Sequence, residues 1–150
     1  MRLLFASLAV ASALVVPALA QTPPDPRTKI ELPPEVRDFL LYEMRGHLEQ
    51  LDKIMALVAA GDLKAAGDFA RTGVAVMGGG HKPGDPNPAQ HVPPEFRMLG
   101  RAMHEAGAEF VKVAAAASTP PTAADYKAVV GALSNLTSRC AGCHGAFRVR

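Results

Sequence analysis

Residues 122–150 read TAADYKAVVGALSNLTSRCAGCHGAFRVR, and this C-terminal stretch decides which fold the sequence indicates. Its apolar residues recur every three or four positions, a spacing typical of one face of a helix. They are Tyr126, Val129, Leu133, Leu136, Cys140, Cys143 and Phe147. Thr122, with Asp125 three residues later, resembles a capping box that uses a shorter acid. The stretch therefore predicts an amphipathic helix over about residues 123–148.

Prolines divide the preceding sequence into further helices. They cluster at 23–26, 33–34, 83–94 and 120–121, and proline interrupts a helix because it lacks the amide hydrogen and clashes with the turn before it. Gly61 followed by Asp62 splits the first long interval, since glycine ends helices and aspartate caps their beginnings. The remaining predicted helices cover about residues 35–60, 63–77 and 94–118.

Each of these helices also has an apolar stripe at helical spacing. The stripes are Leu41, Met44, Leu48, Leu51, Met55 and Val58; Leu63, Ala66, Ala70, Val74 and Met77; and Phe96, Leu99, Met103, Ala106, Phe110, Val113 and Ala117. No segment has a convincing strand pattern. We therefore predict an all-α fold, an antiparallel four-helix bundle over residues 34–150. Residues 21–33 are expected to be an extended, poorly ordered tail, and the glycine- and proline-rich residues 78–93 a long loop.

The first 20 of the 150 residues have the layout of a secretory signal peptide. Arg2 precedes an apolar run that is too short to span a bilayer comfortably, and Ala18-Leu19-Ala20 forms a cleavage site of small residues. Its removal leaves about 130 residues and lowers the net charge from +2 to about +1. A charge so near balance excludes the basic surface expected of a nucleic-acid-binding protein. We expect an exported, periplasmic protein without stable membrane insertion after the leader is removed.

The two cysteines of the chain stand in the sequence Cys140-Ala141-Gly142-Cys143-His144, which is the C-x-x-C-H motif of covalent haem attachment. On a helix, Cys143 and His144 lie three and four residues from Cys140, so all three project from nearly the same side. Two thiols can then bond to two vinyl groups of one porphyrin, while the imidazole reaches the iron. One covalent haem c is the predicted cofactor.

Three other interpretations of the cysteines are weaker. A thioredoxin-type site normally follows a strand, and none is predicted here. A zinc site needs four ligands at compact spacing, which the remaining histidines do not supply. A plain disulfide leaves His144 unexplained.

The position of the motif near the end of a four-helix chain resembles the class II cytochromes c, which comprise cytochrome c′ and the low-spin cytochromes c-556. The resemblance covers about residues 35–150 and rests on the motif, its position and the helix pattern. It implies a haem bundle in which the arginine matching Arg148 lies beside the proximal imidazole. A solvated C-terminal arginine is an equal alternative for Arg148.

The sixth iron ligand is the second expectation from this resemblance. Met44, on the apolar stripe of the first helix and followed by Gly46, best matches the ligand methionine of the c-556 proteins, although a methionine at helical spacing is usually core filler. His104 is the second choice, and a vacant site is the third. For His47, one position off the stripe, a boundary role is favoured. Arg45 is a candidate partner for a haem propionate.

The resulting functional hypothesis is a periplasmic monohaem cytochrome in electron transfer, low-spin with His144 and Met44 on the iron. The alternative is a five-coordinate, cytochrome c′-like protein that binds NO or CO. Either protein would lack enzymatic activity, because no nucleophile–base pair or acidic dyad faces the predicted core. The expected partners are periplasmic redox proteins, met through small transient interfaces. The sequence leaves a homodimer open.

Overall fold

The computed structural model describes residues 23–75 and 84–150. Within them the chain is mainly helical, so the predicted all-α class with four helices is confirmed. In chain order, the elements are β1 Thr28–Ile30, α1 Pro34–Ala59, α2 Leu63–Arg71, a short 3-10 turn Pro88–Gln90, α3 Pro94–Ala115, α4 Ala123–Ala146 and β2 Phe147–Val149. The predicted signal peptide, Met77 and the first part of the predicted 78–93 loop lie outside the described residues.

The caps predicted from the sequence are present. Gly61 adopts a φ of 83°, which favours glycine, and Asp62 then caps α2 by accepting a hydrogen bond from the Ala65 amide. Thr122 and Asp125 form the capping box of α4, in which each side chain accepts from the other residue's amide. The carboxylate of Asp125 also accepts hydrogen bonds from the Thr122 and Ser118 hydroxyls.

Three helices end two or more residues earlier than predicted, among them α3, which ends at Ala115 rather than near residue 118. α2 ends at Arg71 rather than near residue 77, and α4 ends at Ala146 rather than 148. Phe147 is extended, with φ −129° and ψ 152°, because it starts β2, which pairs in parallel with β1. Residues 28–30 are therefore extended, and Ile30 is buried. Strands of three residues leave too little alternation in a sequence to be recognised.

The core lies between consecutive helices, since α1 packs on α2, α2 on α3 and α3 on α4. The predicted stripes of α2 and α4 are buried in it, through Leu63, Ala66, Ala70 and Val74 and through Val129, Leu133 and Leu136. Around them lie Ile54 and Val58 of α1 and the α3 residues from Met103 to Ala114. None of the described helices is apolar over enough of its length to cross a membrane.

The predicted stripe of α1 is partly wrong. Leu48 and Met55 are exposed, at 68% and 47%, whereas Leu40 and Ile54 are buried. Residues 40, 47 and 54 are spaced by seven, so they share one helix face, and this face turns inward. His47 lies on this face and is intermediate in exposure, with its Nδ1 atom buried.

Candidate functional site at the end of α4

The C-x-x-C-H residues occupy the last two turns of α4. Cys140 and Cys143 are free thiols, and both are half-buried. Burial raises the pKa of both thiols, and the Cys140 thiol also donates to the Leu136 carbonyl at 3.7 Å. His144 is exposed. Two protonated thiols and an accessible imidazole thus lie together at one helix end.

Three described helix segments, one of which carries the motif, contain no buried residue. This holds for residues 41–53 of α1, 94–102 of α3 and 137–146 of α4, all of which are described. We call these three segments the motif end. The Phe96 ring, in the α3 segment, contacts the Phe147 ring, which follows α4. The contact is edge to face, with a centroid distance of 5.6 Å. The tightly packed core therefore occupies only the other part of the fold.

Apolar side chains at the motif end are present but only half-covered. Leu41, Met44, Phe96 and Leu99 are all intermediate in exposure. A single α-helical turn rises 5.4 Å, so the 13 residues from 41 to 53 extend over more than three turns without one buried side chain. A group inserted here would cover apolar surface that now contacts water, and that coverage is favourable.

Glycines leave further room at the same place. A Cβ atom added to Gly46, Gly100, Gly142 or Gly145 would meet no atom within 4 Å. In the core, by contrast, a Cβ on Gly107 would lie 2.5 Å from the Val74 carbonyl oxygen. Glycines on α1, α3 and α4 thus lower the side-chain bulk at the motif end, as a flat macrocycle requires.

Three polar atoms of the described residues are buried without a hydrogen-bond partner: His47 Nδ1, Gln50 Oε1 and Arg148 Nε. His47 and Gln50 belong to α1 within the motif end, and Arg148 follows α4. Buried polar atoms normally have partners, so an unpartnered one calls for an explanation. A bound group with carboxylates, such as haem with its two propionates, offers acceptors that would suit the arginine.

His104 of α3 and His47 of the motif end form a pair. Their ring centroids are 5.8 Å apart and the rings are nearly perpendicular. His104 Nδ1 lies 3.1 Å from the Val74 carbonyl oxygen, which only accepts, so Nδ1 donates and Nε2 retains its lone pair. Burial lowers the pKa of both histidines, and the proximity of His104 lowers that of His47 further.

The other predicted site residues have mixed placements. Met44 is half-buried at the motif end, whereas Arg45 is exposed. Arg148 does not continue the helix from His144, because the chain is already extended at Phe147. Its Nε lies 3.4 Å from Asp25 Oδ2, an ion contact without hydrogen-bond geometry. Arg148 therefore lies beyond the helix that carries His144.

Sequence reasoning missed the contact between the N-terminal segment and the motif. The Arg27 guanidinium donates to the backbone carbonyl of His144 at 3.2 Å and to Asp25 Oδ2 at 2.8 Å. The Asp25 carboxylate thus lies between Arg27 and Arg148. Thr28, Ile30 and Val149 are β-branched residues, which favour strands. Strands of three residues nevertheless give no readable period in the sequence.

The donor set fits a covalent haem better than a metal ion held by side chains alone. Among residues 23–75 and 84–150, no three His, Cys, Asp or Glu side chains converge as metal ligands would. Two free thiols, one accessible imidazole, half-covered apolar side chains and four uncrowded glycines instead suit a large flat ligand. Compared with protein-family models, curated proteins and solved structures, the chain gives no match.

Proposed function

We propose that the protein is an exported monohaem c-type cytochrome that transfers single electrons between redox proteins, with α1 to α4 arranged as an antiparallel bundle around one haem c. The observation that carries this proposal is that Cys140-x-x-Cys143-His144 lies in one of the described helix segments that contain no buried side chain. A chance motif would not be expected at that place. A bound haem would supply an iron that accepts and releases one electron.

The cysteines would anchor the group. Cys140 and Cys143 would each add across one vinyl group of the haem, with the sulfur on one vinyl carbon and the thiol hydrogen on the other. Cys140 and Cys143 are both free and project from neighbouring positions on α4, as this addition requires. Burial raises the pKa of both side chains, which favours the protonated thiol at neutral pH.

His144 and Met44 would hold the two axial positions. His144 is exposed and follows the second cysteine directly, and its backbone carbonyl is held by Arg27. Met44 is half-buried on α1 within the motif end. Methionine opposite histidine raises the potential of haem iron, which suits an electron carrier. Leu41, Phe96 and Leu99 would exclude water from the pocket.

The proposed ligand set is tested by the spectrum of the purified protein. Haem ligated by His144 and Met44 gives a low-spin ferrous absorption and resonance Raman spectrum, and a methionine–iron charge-transfer band when oxidised. Met44→Ala is expected to convert the protein to a high-spin form that binds CO. Met55→Ala is the matched control, because Met55 is an exposed methionine of the same helix.

An unchanged low-spin spectrum in Met44→Ala would assign Met44 to packing and turn attention to His104, whose Nε2 retains its lone pair. A wild-type ferrous spectrum that is already high-spin and changes on CO addition would contradict the electron-carrier proposal. That result would favour the gas-binding alternative.

A further inference from the structure

The N-terminal segment of residues 25–30 contacts the end of α4 that carries the motif. β1 runs parallel to β2, with Thr28 opposite Phe147, Lys29 opposite Arg148 and Ile30 opposite Val149. The Arg150 amide extends the pairing by donating to the Ile30 carbonyl at 3.2 Å. Buried Ile30 anchors the segment, so residues 25–30 hold a fixed position beside His144.

Charged groups of this segment meet the backbone of the proposed iron ligand. Arg27 donates through Nη1 to the His144 carbonyl at 3.2 Å, and through Nη2 to Asp25 Oδ2 at 2.8 Å. Asp25 also accepts from Arg27 Nε and from the Arg27 amide, at 3.0 and 3.1 Å. Arg148 Nε approaches Asp25 Oδ2 from the other side at 3.4 Å.

The charges in this cluster are permanent in the neutral range. The hydrogen bonds from Arg27 lower the pKa of Asp25 to about 2, and the same pairing raises the pKa of Arg27. Each of these groups is roughly one-third exposed, so salt partly screens its field.

We propose that Asp25 and Arg27 set the reduction potential of the haem ligated by His144, through fixed opposite charges held against the end of α4. This inference rests on the proposed haem function. Oxidised haem carries one more positive charge than reduced haem, so a nearby carboxylate favours the oxidised form and a nearby guanidinium favours the reduced form. The two residues therefore act as positioning and charge-tuning groups, not as ligands.

Shifts of the midpoint potential with opposite signs distinguish this electrostatic role from a purely structural contact. Asp25→Asn removes a negative charge and is expected to raise the midpoint potential, whereas Arg27→Gln removes a positive charge and is expected to lower it. Arg27→Lys keeps the charge and is expected to stay close to wild type. Both shifts should shrink as salt is raised from about 0.01 M to about 1 M, where the Debye length falls from about 30 Å to about 3 Å.

Glu31→Gln is the matched control. Glu31 directly follows β1, whereas Asp25 precedes it; the Glu31 side chain is 76% exposed and pairs with Lys29. Its substitution removes the same charge as Asp25→Asn and is expected to move the potential less.

Spectroelectrochemical titration of the full haem-loaded protein and these four variants measures all five midpoint potentials. Shifts of opposite sign for Asp25→Asn and Arg27→Gln, both larger than that of Glu31→Gln, support the proposal. Shifts of the same sign, or shifts no larger than the control, would overturn it while leaving the haem function standing. A chain that never acquires haem would overturn both.

Discussion

His47 and His104 are two half-buried histidines whose surroundings differ from those of a solvated imidazole. His47 Nδ1 is buried without a partner, and His104 donates to the Val74 carbonyl. Burial favours the neutral imidazole in both, which lowers their pKa in the folded state below the value of about 6.5 expected in the unfolded chain. Glu43 partly opposes this effect at His104, since its negative charge favours the imidazolium.

The pair predicts how stability depends on pH. The unfolded chain binds more protons than the folded chain below about pH 6.5, so the free energy of unfolding should fall as pH drops from 7.5 to 5.5. Thermal unfolding of the protein across that range measures the effect. His104→Gln should flatten the dependence, whereas His91→Gln, at an exposed position, should leave it unchanged. Equal slopes in all three proteins would contradict this assignment.

Gly107 is the residue where the core is most tightly constrained. A Cβ there would lie 2.5 Å from the Val74 carbonyl oxygen and 3.0 Å from the Ala75 Cα, both backbone atoms that cannot rotate away. Gly107→Ala is therefore expected to lower the free energy of unfolding by about 1–3 kcal/mol. Chemical denaturation followed by circular dichroism measures the change.

Gly131→Ala is the control for that substitution. Gly131 lies in α4, and a Cβ there meets nothing within 4 Å. Alanine should therefore raise stability by about 0.5–1 kcal/mol, through helix propensity alone. If Gly107→Ala and Gly131→Ala changed the free energy of unfolding in the same direction, the effect at Gly107 would not come from a clash with the Val74 carbonyl.

At the scale of the elements, α4 depends on its cap at one end and on β1 at the other. At its beginning, the Thr122 hydroxyl accepts a hydrogen bond from the Asp125 amide. Near its other end, the Arg27 guanidinium donates a hydrogen bond to the His144 carbonyl. The Phe147 amide closes the last turn on the Cys143 carbonyl. The helix that carries the motif is thus fixed at both ends, although no residue of its last ten is buried.

The cap of α4 gives a prediction at this scale. Thr122→Ala removes the side-chain acceptor for the Asp125 amide and should lower the free energy of unfolding by about 1 kcal/mol. Ser134→Ala, at an exposed position within the same helix, should be neutral or slightly stabilising. Differential scanning calorimetry of the two variants checks this. An equal effect of both would mean that the capping box does not support α4.

How far the sequence predicts these elements depends on whether local chemistry or distant contacts define them. The beginnings of α2 and α4 follow from Asp62 and Thr122, because capping acts within three residues. The end of α4 does not, since β1 comes from residues more than 100 positions away. In α1, a regular stripe from Leu41 was equally compatible with two faces, and packing against α2 selects the one through Leu40 and Ile54.

At the scale of the whole molecule, the fold has two unequal parts. Ile54, Leu63, Phe110 and Leu136 pack a closed core, whereas the motif end has half-covered apolar side chains and uncrowded glycines. The cysteines and His144 were predictable because the motif is local in sequence. The low burial of the segments in α1 and α3 was not, because burial depends on how the helices pack. A covalently held haem would complete the core of this small chain.

Peptide mass mapping of the exported protein tests the central claim most directly. The chain is produced with the machinery for covalent haem attachment, and non-covalent haem is removed by acid–acetone before digestion. We expect the peptide containing Cys140 and Cys143 to carry the mass of one haem. In the double variant Cys140→Ser, Cys143→Ser, this added mass should be absent. A wild-type peptide with two unmodified thiols, or with a disulfide between them, would contradict the account.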